Sequence, residues 1–139
     1  MPYLCLIVSR DRAFAASLAQ DLPPFGFKPF FVDGGESAGA MLKQWRFEAI
    51  VVDAEGLGAA CRNILRSLQG SARAPLMLLS CTTDEQDQIE CLQCGATEVV
   101  AKPASARLIA AKLRRLVEIG LVSASEVAKV RSRLTIRQR

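Results

Sequence analysis

Five short apolar runs limit how this chain can fold: 3-YLCLIV-8, 28-KPFFV-32, 49-AIVV-52, 75-PLMLLS-80 and 98-EVVA-101. Within most of them apolar residues follow one another without alternation, the mark of a strand covered on both faces. Segments with helical spacing separate them. Asp11–Leu22 carries Phe14, Ala15, Leu18, Ala19 and Leu22 on one stripe and stops at Pro23-Pro24. Gly34–Trp45 places Met41, Leu42 and Trp45 on one side, and Leu57–Leu68 forms a third helix ending near Gly70. Asp84–Cys94 has acids in its first turn and Gly95 at its stop position. Pro103–Ile119 turns Leu108, Ile109, Ala111 and Leu116 towards the core. Strict alternation with short connections predicts an α/β fold of (βα)5 type: a doubly wound parallel five-stranded sheet with helices on both faces. Gly26 supplies a turn before the second strand.

The 139 residues suit one domain, expected over residues 1–120, followed by a basic helical extension over 121–139. Half the residues are apolar and 23% charged, a globular composition without a membrane-length apolar run, so a cytoplasmic location is expected. Histidine is absent, which excludes a Ser-His-Asp triad, a Cys-His pair and histidine-held metal on this chain. The formal charge of +4 belongs to the tail, where Lys129, Arg131, Arg133, Arg137 and Arg139 face Glu126 alone; thirteen bases and thirteen acids balance in residues 1–124. A neutral domain argues against a nucleic-acid surface. The nineteen residues of 121–139 are also too few for a DNA-binding domain.

In a doubly wound sheet the functional crevice lies beyond the carboxyl ends of the strands. Asp53, Ser80 and Lys102 stand there, ending the third, fourth and fifth strands. A carboxylate can attack phosphorus, an ammonium can neutralise phosphoryl oxygens, and a hydroxyl can donate to one of them. Singly, Asp53 reads as a helix cap, Ser80 as a turn residue and Lys102 as a solvated surface charge. In this order on these strand ends they form a phosphoryl-handling set.

With VVD at 51–53, LLSC at 78–81, DEQDQIECLQCGA at 84–96 and AKP at 101–103, residues 3–119 resemble the receiver domain of two-component response regulators. The resemblance implies strand order 2-1-3-4-5, Asp53 as phosphoacceptor, Ser80 as the switch hydroxyl, Lys102 as the phosphoryl-contacting lysine, and a cis bond before Pro103 that aims the lysine inward. It further implies a sensor histidine kinase or phosphotransfer protein as donor and a downstream protein as target, reached through residues 84–119. Homodimerisation is an option. Chemistry would be limited to self-phosphorylation from a donor and autodephosphorylation, so the chain is not read as an enzyme acting on a diffusible substrate.

The chain departs from this pattern in three places. Receivers carry two adjacent acids after the first strand, which position Mg²⁺; 6-LIVSRDR-12 puts Ser9 and Arg10 there, with Asp11 one place late. Asp53 is then the one family-matched carboxylate, with Asp11 and Glu55 as weak substitutes, and Mg²⁺ binding is in doubt. Val99 stands where a switch aromatic is usual, and AEGLG after Asp53 lacks the usual Met-Pro turn. Hence a second expectation, a non-phosphorylated pseudo-receiver locked by an Arg10–Asp53 pair. A third is a ligand-binding adaptor whose Arg131, Arg133 and Arg137 grip a phosphate-bearing second messenger such as cyclic di-GMP. In the tail, Ser123 or Ser125 is expected to cap a separate sixth helix with Val127, Val130 and Leu134 on one stripe. Cys91 and Cys94, with Cys81 nearby, are read as packing residues, and a redox switch is the alternative.

Overall fold

The computed structural model describes residues 2–71 and 73–137, with side chains through residue 121. Its parallel sheet consists of β1 (Tyr3–Val8), β2 (Phe27–Val32), β3 (Ala49–Asp53), β4 (Leu76–Ser80) and β5 (Glu98–Ala101), in spatial order β2-β1-β3-β4-β5. Five helices alternate with them: α1 (Arg12–Asp21), α2 (Gly35–Gln44), α3 (Ala60–Ser71), α4 (Glu85–Gln93) and α5 (Ala106–Arg137). Fold class and strand order are as expected from the sequence.

Continuous apolar runs made the central strands legible, because β3 and β4 are buried at every position. Successive side chains point to opposite faces, so each strand feeds two cores. Ile7, Val51 and Leu79 pack with Leu18 of α1 and Ile109 and Leu113 of α5. Leu6, Ile50, Val52 and Leu78 pack with Ala38 of α2, Leu65 and Leu68 of α3 and Cys94 after α4. Register then fixes the crevice. Asp53 pairs with Leu79 and Ser80 with Ala101, so the ends of β3, β4 and β5 lie side by side.

Local signals explain the element ends. The Asp11 carboxylate accepts from Phe14 N–H at 3.0 Å and caps α1, while Asp84 does the same for α4 through Asp87 N–H. Gly95 has φ +124° and Gly26 φ +90°, left-handed values at the two places where the sequence asked for a glycine turn. The Lys102–Pro103 bond is cis, as the resemblance implied.

Several boundaries differ from expectation. Helix α3 starts at Ala60, three residues late, because Gly56 and Gly58 take positive φ and hold Leu57 buried in a turn. Trp45 lies past the end of α2 and is 57% exposed instead of completing its apolar side. Leu108 and Ala111 face outward; the buried stripe of α5 is Ile109, Ala110, Leu113 and Val117. The separate sixth helix does not exist as such. Helix α5 runs unbroken from Ala106 to Arg137, since Gly120 lowers helix propensity by only about 1 kcal/mol and no proline follows it. The expected division at residue 120 therefore coincides with no break in secondary structure, and the side-chain readings for Val127, Val130, Leu134 and the tail arginines fall outside the described side chains.

Candidate functional site

Asp53 is fully buried at the end of β3, and its carboxylate gathers donors from three directions. Lys102 Nζ donates to Oδ1 at 3.2 Å and to Oδ2 at 3.3 Å. Ser9 Oγ donates to Oδ2 at 3.0 Å, and Glu55 N–H donates to Oδ1 at 3.1 Å. A carboxylate removed from water needs this provision, since an unpaired buried charge is costly. Backbone bonds lock the frame: Ala54 N–H reaches Leu79 O at 2.8 Å and Lys102 N–H reaches Ser80 O at 2.9 Å.

Lys102 is itself held on several sides. It donates to Glu55 Oε2 at 2.9 Å, and its ammonium sits 4.2 Å from the Phe14 ring centroid. Partial burial pulls its pKa down, but hydrogen bonds to Glu55 and Asp53 outweigh this, and the net displacement is upward. Lys102 is thus a cation at neutral pH. Ser80 lies at the crevice edge, where its hydroxyl accepts from Thr82 N–H at 3.2 Å. Among the described residues its hydroxyl donates to no side chain or carbonyl, which leaves the proton available to an incoming group.

The structure brings Asp53, Ser80, Lys102 and Ser9 together, but not Arg10. No Arg10–Asp53 ion pair forms among the described residues, so the lock expected from the sequence is corrected. Arg10 is exposed, and its stem runs over Gly56, where an added Cβ would meet Arg10 Cδ at 3.5 Å. Lys102 already supplies the counter-charge from within the crevice, and a second cation would gain little there. Ser9 is what the sequence reading undervalued: as a mere gap in the acidic pair it is in fact fully buried on Asp53. Phe14 and Thr82 were also missed. Helical spacing marks Phe14 as apolar, but nothing in it says that the ring faces a lysine.

The substitute metal ligands are committed elsewhere. Asp11 caps α1 and Glu55 holds Lys102. Among the described residues no cluster of three His, Cys, Asp or Glu side chains could hold a metal ion. Mg²⁺ requires near-octahedral oxygen ligands. A hydroxyl and an exposed arginine at the acidic positions, with an ammonium on Asp53, do not fit it. Val99, in the place of a switch aromatic, is half-buried against the α3 side of the sheet.

Beside the crevice, Cys61 of α3 and Cys91 of α4 line a cleft of about 400 Å³ that also touches Ser80, while Cys81 is exposed and does not line it. All five thiols are free. Burial pushes the Cys61 thiol up to about 11, with neighbouring Cys91 and Cys94 adding to it, and burial raises Cys91 too. Thiols held neutral are slow nucleophiles. A thiol-exchange reagent at pH 8 is expected to label Cys81 first, with Cys5 and Cys61 reacting only on unfolding; early labelling of Cys61 by peptide mapping would contradict this.

No family model matches the chain. It is 28% identical over 120 residues to the transcriptional regulatory protein AfsQ1 of Streptomyces coelicolor, covering 86% of this chain and 53% of that one, so it spans about half the length of this curated relative. Among solved structures, the signal receiver domain of a histidine kinase from Syntrophus aciditrophicus superposes with TM-score 0.73 at 27% identity, over 84% of this chain and 90% of that one. A receiver domain of the Pseudomonas aeruginosa sensor kinase PA1611, solved with magnesium in its active-site cleft, superposes with TM-score 0.73 at 21% identity, over 85% of this chain and 99% of that one. Strand order, strand-end residues and sequence likeness agree: the chain has the receiver fold and is similar in sequence to response regulators of two-component systems.

Proposed function

We propose that this receiver takes a phosphoryl group on Asp53 without a bound divalent cation, and passes the signal on by protein contacts. The observation that carries the reading is the ammonium of Lys102 on both Asp53 oxygens, next to the free hydroxyl proton of Ser80. In the reaction one Asp53 oxygen attacks phosphorus in line with the leaving group. Lys102 moves from the carboxylate to the incoming phosphoryl oxygens and offsets their charge. Ser80 donates to a third oxygen, which draws in the β4–α4 connection that Thr82 ties to it. The donor would be a sensor kinase or phosphotransfer protein with a phosphohistidine, and the output a protein target on the α4–β5–α5 face. No step is assigned to Mg²⁺, because the residues present do not fit it.

Incubation with acetyl phosphate tests this. Intact-mass analysis is expected to show the gain of one phosphoryl group, cleaved by hydroxylamine and absent in Asp53→Asn. A second reading rests on the full set of donors around Asp53: the carboxylate is already satisfied, as in a module held in one state without phosphate. Absence of any adduct, with native circular dichroism retained, would select that reading.

A further inference from the structure

At the amino ends of the strands, opposite Asp53, lies an open groove of about 790 Å³. Its walls come from the segment entering β3, the segment entering β4 and the stretch of α5 around Val117–Leu121. Trp45 is 57% exposed and Leu121 54% exposed, and Leu42 is half-buried beside them. Exposed large apolar groups gathered in one concave place mark contact surfaces more often than chance scatter does. None of these residues takes part in the Asp53 site.

The charge around the groove is one-sided. Lys43, Arg46 and Arg73 are exposed at its rim, and none forms an ion pair among the described residues. Glu48 is the acid in the lining, and its carboxylate is engaged by Leu4 N–H at 2.6 Å. The first 124 residues balance thirteen bases with thirteen acids, so three unpaired cations here are a local concentration and not a reflection of overall charge.

We infer that this groove docks an acidic peptide segment of a protein partner, its aliphatic or aromatic side chains entering between Trp45 and Leu121 and its carboxylates meeting Lys43, Arg46 and Arg73. Apolar anchors with a charged rim are the general anatomy of peptide contact sites. The concave shape favours a segment over a flat lipid surface, and apolar walls favour side-chain anchors over a sugar–phosphate backbone.

Trp45 is the chain's one tryptophan, so its fluorescence reads the groove directly. The probe is a short peptide alternating Asp or Glu with Leu and Phe, titrated into the full chain. A saturable blue shift of Trp45 emission is expected, weakening with salt. Lys43→Glu and Arg46→Glu should each lower affinity about tenfold, and Asp53→Asn should leave it unchanged. A peptide with Lys and Arg in place of the acids should not bind. The inference is overturned if the acidic peptide leaves Trp45 emission unmoved, or if the charge reversals do not weaken it. It is equally overturned if single-stranded DNA or phosphatidylserine vesicles shift the emission and the peptide does not.

Discussion

Replacing Ser9 and Arg10 together with aspartate is expected to create a Mg²⁺ site beside Asp53. Ser9 Oγ lies 3.0 Å from Asp53 Oδ2, so a carboxylate in its place sets two negative charges within contact distance. In a buried setting such a pair is unfavourable without a cation, and oxygen ligands at this spacing are what Mg²⁺ takes. Removing Arg10 also removes a neighbouring positive charge. The double variant should be less stable than the natural chain in EDTA. It should then gain about 2.7 kcal/mol in Mg²⁺ at a hundredfold excess over its dissociation constant, whereas the natural chain should gain nothing. Thermal denaturation with and without Mg²⁺ measures both. Asp53 labelling by acetyl phosphate should become Mg²⁺-dependent in the variant and rise by at least about tenfold. Equal stabilisation of the natural chain by Mg²⁺ would refute the metal argument.

Lys102→Ala is the second large effect. Asp53 is fully buried and Lys102 is its cation, so truncation strands a carboxylate that Ser9 and Glu55 N–H only partly satisfy. Breaking such a pair from one side costs about 2 kcal/mol or more, even with neutral donors left behind. Asp53→Asn in the same background should recover most of that loss, because the stranded charge is gone. Urea denaturation of the four species closes the cycle. The pH dependence has a definite sign. The folded ammonium titrates above its unfolded value of about 10.4, so its contribution is complete below that pH and is lost as pH rises through the folded value. The gap between the natural chain and Lys102→Ala should be flat through neutral pH and narrow in strong alkali. A gap that closes near pH 7 would place the stabilisation elsewhere.

The fold was legible because its signals are local and redundant. Each central strand is an unbroken apolar run, and Asp11, Asp84, Gly26 and Gly95 mark ends by chemistry that acts within a few residues. Asp53, Ser80 and Lys102 were legible for a related reason, since a doubly wound sheet places strand ends together whatever the side chains do. Pairing was not legible. Position alone left Arg10 and Lys102 as rival partners of Asp53, and the outcome turned on direction: Lys102 enters the crevice over Phe14, whereas Arg10 lies across Gly56. The continuity of α5 was missed because caps and a glycine suggested an end, while helix formation needs only the absence of a breaker. Trp45 was assigned to a helix face by spacing, yet it sits in the turn after α2, beyond the reach of that periodicity.

In the proposed function Asp53 accepts a phosphoryl group in a site that holds no divalent cation. The most direct measurement is the rate of Asp53 labelling by acetyl phosphate in EDTA and in Mg²⁺, followed by intact mass and peptide mapping. The predicted result is a hydroxylamine-labile adduct on Asp53 at the same rate in both. Labelling that requires Mg²⁺, or no labelling of Asp53 in a folded chain, would contradict it.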